Sequence, residues 1–478
     1  PPEPPAPPAP PAETPAPTPT PPRRIQFGTQ GPWPVQNDVY GRAAGVLETP
    51  VVGVTSDEAE NRWVATPGAL YLLRPGETTF HRYAGEDGLH LPGFPAKYCG
   101  DRPMQPGDSC GQTIEYGEAA PPGITHIVGG GPDEVFVGYQ GVDEMPADMT
   151  CPPKDPTKTV GYGDYCDPNR HSGKMDRVRV AADGTIQVDR FDFVAGQHGA
   201  EYWHNRTVHA AAYDHFAHPG TLYVGTNHGV NIVFPDRFRY PRPGEWFDLA
   251  NVEWLGDHLH ARVCQFDPPA ACPPDSEAGQ RMGGWYGVAI DASGDVWHAG
   301  RWTAGLITWL DDPVAWFVRP GATAFKVAFG DPYPTSPNDE GFRNEPVFKV
   351  NAEGDSVYLT GVAVCPDGRV WFASRGPESG TTHTLAVWKG RSFETFDPAA
   401  LGLGETPLAD VECLPDGRVV LAGPTRGVVL YDPAARTSVR VQGLPSERVN
   451  DVEVDRMVSP PALHVATAGG AAVLRVLP

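Results

Sequence analysis

His126, His209, Asp410 and Asp451 occupy one equivalent position in a series of similar segments, and Gly53, Gly287 and Gly361 stand at the same place in three others. Two imidazoles and two carboxylates form a mixed nitrogen and oxygen donor set that suits a divalent ion such as zinc or manganese. The three glycines leave room beside it. Calcium is a further candidate ion, because the acidic loops at 331–341 and 161–169 offer carboxylates and carbonyls, although neither follows the EF-hand pattern. The competing reading gives an Asp before Val a structural use, capping a turn or bonding a neighbouring segment, and leaves a polar, water-lined surface. His228, Arg301, Arg375 and Arg426 follow the next apolar run in four of the segments and are expected at the same mouth as ligand-binding groups. No catalytic residue is assigned, since no orienting carboxylate lies near His126, His209 or His228 in the sequence.

Histidines are dense between His198 and His228, but the stretch HGAEYWHNRTVHAAAYDHFAHPG lacks the HExxH and CxxCH spacings, which excludes zincin and c-type haem readings. A connecting loop with half-exposed imidazoles and packing aromatics is the plainer account. Tyr202 and Trp203, Trp285 and Tyr286, and Trp302 and Trp309 are either sugar-stacking platforms or packing groups, and packing is the commoner use. Asn205 to Thr207 fits the glycosylation triplet.

The elements that must position these groups are repeats. Trp63, Phe136, Tyr223, Trp297, Trp371, Val420 and His464 hold one place in seven copies of a strand closed by a small-residue turn, from RWVATPG to ALHVATAGG. An alternating segment precedes most copies across an Asp/Gly-type turn, as in YGVAIDASGD and TGVAVCPDGR, which predicts a tight hairpin. A third strand follows, as in ALYLL, GLITWL and GVVLY. The shortest anchor spacings are 49 and 44 residues, the length of a four-stranded propeller blade, and the longer ones need insertions. The expected fold is therefore all-β, a seven-bladed β-propeller of four-stranded blades with disulfide-stapled loop insertions, occupying residues 24–478 as one domain. The last copy shows three strands, and a segment around Arg24 to Phe27 is expected to fill the fourth place and close the ring.

Cys99 with Cys110, Cys151 with Cys166, and Cys264 with Cys272 make short-range pairs inside Pro-, Gly- and Asp-rich insertions that burial could not order, and disulfides are expected there. Cys365 and Cys413 share one repeat position in adjacent copies. They either bridge across a blade boundary or sit as two buried small apolar residues. Residues 1–23 form a spacer of extended polyproline character, the first 22 being only Pro, Ala, Glu and Thr. With no initiator Met or apolar leader, a removed secretory signal is the expectation, and a lipid anchor upstream of residue 1 is one way such a spacer would be tethered. No apolar run is long enough to span a bilayer. The formal charge of −22 disfavours nucleic acid as a partner. These features point to an extracytoplasmic monomer in the periplasm, on the outer membrane surface or secreted.

GVAVCPDGRVWFAS, GVAIDASGDVWHAG, DVECLPDGRVVLAG and NDVEVDRM followed by LHVATAGG resemble the repeats of two-component-regulator type and streptogramin-lyase type propellers. The resemblance covers most of the chain after about residue 46 and implies the propeller fold, while such repeats serve sensors, lyases and scaffolds alike. The lyases carry a carboxylate just after a WFTE-like second strand, whereas this chain has Thr66, Tyr139, Thr226, Gly300, Ser374, Gly423 and Thr467 there. The favoured function is a module that binds a protein, peptide or glycan through the channel mouth and its insertions, with no cofactor assured and a divalent metal (calcium, zinc or manganese) as the candidate. The alternative is a metal-assisted lyase or hydrolase.

Overall fold

The computed structural model describes residues 35–40, 45–46, 48–89, 91, 96–99, 102–103, 112–114, 123–140, 174–192, 208–226, 229–233, 235–236, 256–259, 285–300, 304–309, 325–327, 357–377, 384–389, 393–396, 401, 407–458 and 461–476, some of these by their backbone alone. Among the described residues, seven four-stranded antiparallel sheets follow one another along the chain. Their first strands are Gly53–Ser56, Ile124–Gly129, Val208–Asp214, Trp285–Ile290, Val357–Val364, Asp410–Cys413 and Val449–Asp455. Each first strand lies against that of the next sheet, and the seventh lies against the first. The sheets therefore form a closed cycle with the first strands innermost, which is a β-propeller.

The anchors read from the sequence occupy one register. Trp63 pairs with Thr55, Phe136 with Val128, Tyr223 with Ala212, Trp297 with Ala289, Trp371 with Ala363, Val420 with Glu412, and His464 with Glu453. All seven anchors are buried. Successive side chains of a strand point to opposite faces, so Trp63 and Ala65 pack with Ile127 and Tyr139 of the second sheet, while Val64 and Tyr71 pack with Ala466 and Val473 of the seventh. The core is thus spread over the seams between sheets. The hairpin turns match their chemistry as well: Gly294, Gly368 and Gly417 take φ values of +90°, +79° and +87°, which a Gly supplies without steric cost.

Closure differs from the expectation in one respect. The fourth place of the seventh sheet is filled by Val35–Tyr40, antiparallel to Gly470–Val476, rather than by Arg24 to Phe27, which lie outside the described residues. VQNDVY supplies six residues for pairing and ends only a short connection before Gly53, the first residue of the next sheet. A three-stranded sheet, Ala96–Cys99, Arg102–Pro103 and Gln112–Ile114, lies in the segment between the first and second propeller sheets.

Cys365 and Cys413 are joined, with Cα atoms 5.2 Å apart, and the disulfide ties the fifth sheet to the sixth. Both are buried among Trp371, Leu408 and Leu421. Bridging and burial, which the sequence offered as alternatives, both hold. The pairings expected for Cys99, Cys110, Cys151, Cys166, Cys264 and Cys272 fall outside the described side chains.

Candidate functional site

The innermost strands surround a cavity of about 740 Å³ on the ring axis, to which all seven sheets contribute, through Ser56, His126, His209, Tyr286, Thr360, Asp410 and Asp451 among others. The position expected to form a ring is real but differs by one residue in the third sheet. Gly53, His126, Ala210, Gly287, Gly361, Asp410 and Asp451 pair with Ala65, Gly138, Gly225, Ala299, Ala373, Ala422 and Ala466, so every partner is a small residue. His209 is the extra residue of a bulge between Val208 and Ala210, not the equal of His126. Its counterparts are Thr125, Tyr286, Thr360 and Asn450, which stand at the same register break in their own strands.

This bulge position has a common use. The Thr125 hydroxyl donates to the Val208 carbonyl at 2.7 Å, the Thr360 hydroxyl to Leu408 at 2.9 Å, and the Asn450 amide to Val51 at 2.7 Å, each reaching the next sheet. Between the third and fourth sheets the same connection is aromatic, with the His209 and Tyr286 rings 4.4 Å apart. A bulge re-aims the side chain of its extra residue, which is how one repeat position both faces the axis and joins neighbouring sheets.

The sixth and seventh sheets supply carboxyl groups in two layers. Asp410 and Asp451 lie in the ring, and Glu412 and Glu453 stand two residues further along the same faces, with the intervening Val411 and Val452 buried. All four are half-buried and line the cavity, and burial pushes every carboxyl upward. Asp410 is held well above the ordinary range by burial, then by the charges of Asp451 and Glu412. Glu453 is likewise well above it through burial, against which the Thr55 hydroxyl donates at 2.8 Å. Glu412 is raised to about 7 by burial, opposed by the Arg456 guanidinium 3.8 Å away. Asp451 is raised by burial, against the pull of His126 and a hydrogen bond with Asp410. The Asp410 carboxylate also accepts the Val411 N–H at 2.8 Å and the Val452 N–H at 3.4 Å across the seam.

Glycine makes the space for this wall. A Cβ on Gly361 would stand 2.0 Å from Asp410 Oδ1, and one on Gly287 would meet the Val362 nitrogen at 2.8 Å. The room read from the sequence is therefore filled by the neighbouring strand and its carboxylate.

His126, His209, Asp410 and Asp451 all line the cavity. Among the described residues, however, no three His, Cys, Asp or Glu side chains are grouped to hold a metal ion. Arg426 is exposed on a turn and is absent from the cavity wall. His228 and Arg301 lie outside the described residues, as does the side chain of Arg375, whose backbone belongs to the strand Val370–Pro377. Of the dense histidines, His215 stands 3.1 Å from Glu58 at the cavity edge. Trp285 is buried against His298, whereas its neighbour Tyr286 reaches the cavity. Glu412 and Glu453 were missed, although Asp-Val-Glu in two successive copies signals them by strand alternation.

No family model and no curated protein matches the chain. Among solved structures it is similar to the extracellular domain of the putative hybrid two component system BT3049 from B. thetaiotaomicron, at 12% identity and a TM-score of 0.46, covering 94% of this chain and 42% of that one. The chain thus spans less than half the length of that protein. It is also similar to YCF48 bound to D1 peptide, at 11% identity and a TM-score of 0.44, covering 95% of this chain and 100% of that one. A chain of the mitotic checkpoint complex gives 10% identity and a TM-score of 0.44, with 97% of each covered.

Proposed function

We propose that the chain is a seven-bladed propeller that binds a protein, peptide or glycan in its axial cavity, outside the cytoplasm. The observation that carries the reading is the cavity itself. At about 740 Å³ it falls in the range of ligand pockets, roughly 300–1,000 Å³, and every sheet contributes to its wall. The His209 and Tyr286 rings give one side an aromatic face, and carboxyl groups give the other a polar one. A buried disulfide supports an oxidising compartment, with the Pro-rich residues 1–23 as spacer and the remaining insertion cysteines as staples. Among the described residues no helix is long and apolar enough to cross a membrane.

Peptide and glycan arrays probed with the wild-type chain and with Tyr286→Ala and His209→Ala test the reading. Binding that falls at least about tenfold in these variants, equivalent to about 1.4 kcal/mol, is the expected result. Ligands that bind all three chains equally would move the site off the axis.

A further inference from the structure

The two walls of the cavity differ in chemistry, and their placement is not arbitrary. In the cycle of seven, the seam between the third and fourth sheets lies diametrically across from the seventh. The first position carries the His209–Tyr286 aromatic pair and the second carries Asp451 and Glu453, flanked by Asp410 and Glu412 of the sixth sheet. Aromatic faces attract a cation through the negative ring face, and an opposite charge beside carboxyl groups that burial holds toward their protonated form favours their ionised form, so a cation in this cavity is favoured from both sides. The wall carries little positive charge of its own. Among its described residues only Arg456 bears a permanent positive charge, and its guanidinium is held at 3.3 Å by the Val364 and Cys413 carbonyls.

The arrangement also separates an organic cation from a metal ion. The carboxyl groups lie in two layers along two strands, and no three are grouped for coordination. Spread acceptors suit a planar guanidinium or an ammonium carried on a chain, which distributes its donors, better than a point charge that needs several oxygens at one distance. The chain as a whole carries a formal charge of −22, which steers a basic ligand toward it.

We propose that the axial cavity receives a basic side chain of a polypeptide ligand, seated between the carboxyl wall of the sixth and seventh sheets and the His209–Tyr286 face. This rests on the reading that the cavity is the binding site, and it names the ligand's chemistry.

The test uses a blocked pentapeptide with one central arginine and its citrulline counterpart, which keeps the shape and removes the charge. Calorimetric titration of the full chain is expected to show the arginine peptide binding at least about tenfold tighter, with the preference shrinking as salt rises. Asp451→Asn with Glu453→Gln is expected to erase the preference, with thermal melting to check that this variant folds. Should it not fold, the comparison of the two peptides on the wild-type chain decides alone. Equal binding of both peptides, or no binding of the arginine peptide, overturns the proposal. So does stoichiometric calcium binding without arginine-peptide binding, which would make the wall an inorganic cation site. Array ligands that need Tyr286 yet ignore charge would overturn this inference and leave cavity binding standing. If no ligand depends on the cavity, both fail.

Discussion

Replacing Cys365 and Cys413 together by Ala should be the most destabilising test of how the ring is held. The crosslink closes a separation of 48 residues. In the chain-entropy description, constraining a loop of that length in the unfolded state stabilises by about 4 kcal/mol at 25 °C. Both residues are buried in the cluster of Trp371, Leu408 and Leu421, so the lost sulfur atoms add a smaller packing cost, on the order of 1 kcal/mol each. Ala is preferred to Ser because a hydroxyl buried there would have to find a partner. The seam keeps other ties, among them the Thr360 hydroxyl on the Leu408 carbonyl and the Leu408 N–H on the Ser374 carbonyl, both at 2.9 Å. The variant should therefore still fold. Urea unfolding is expected to show a lower midpoint and a steeper slope, since the unfolded chain expands when the crosslink is gone. A change below about 1 kcal/mol at unchanged slope, or two free thiols titrating in the folded wild type, would refute the reasoning.

Further changes probe the cavity wall. Gly361→Ala places a Cβ 2.0 Å from Asp410 Oδ1, and thermal melting should show a loss of about 1–3 kcal/mol; an unchanged melt would mean that the carboxylate moves freely. Thr55→Val removes both the donor to Glu453 and the acceptor of the Gly129 N–H at 3.0 Å, and should cost about 1–3 kcal/mol in urea midpoints. Glu412, at about 7 in the folded chain, keeps a proton there that the unfolded chain has lost. Its stabilisation is complete below the unfolded value and disappears as pH rises through about 7, amounting to roughly 3 kcal/mol at most. His464 and His298, depressed by burial to about 4 and about 3, act in the opposite sense, their stabilisation being lost as pH falls. Melts between about pH 6.5 and 8 therefore isolate the carboxyl side, and Glu412→Gln should flatten the decline there; parallel pH profiles would argue against it. Asp410→Asn leaves an amide that can donate to Asp451 at every pH, and should raise the melting temperature at pH 8, an assignment that a fall would contradict.

How far the sequence disclosed this arrangement depends on what each feature needed. The sheets were readable because Trp63, Phe136 and their counterparts recur at one register, and burial at that register tolerates few residue types. The register of Asp410, Asp451 and His126 was readable by counting back from those anchors. His209 was placed one residue off, because the hairpin of the third sheet is longer than in most copies, with Ala212 paired to Tyr223 where Ala289 pairs to Trp297, so counting back from the anchor does not fix the register. The ties of Thr125, Thr360 and Asn450 were invisible because no residue pattern marks the bulge that re-aims their side chains. Val35–Tyr40 was missed because an outer strand carries no anchor and is defined by a partner more than 400 residues away.

The backbone of the ring is close to symmetric and its side chains are not, and that contrast bears on function. A scaffold selected only for stability would repeat a neutral residue at the innermost position, as Gly53, Ala210, Gly287 and Gly361 do. The sixth and seventh sheets instead hold four carboxyl groups where burial raises each one and like charges oppose one another. Each raised group destabilises the folded chain near neutral pH relative to the same group in water. Groups held at such a cost cluster where binding or chemistry uses them, and here Gly361 is kept small so that Asp410 fits. On the proposed reading, the asymmetry makes the seam between the sixth and seventh sheets the working side of the cavity. The aromatic pair across the ring supplies the complementary face, and the disulfide between the fifth and sixth sheets fixes the strand on which Asp410 and Glu412 are carried.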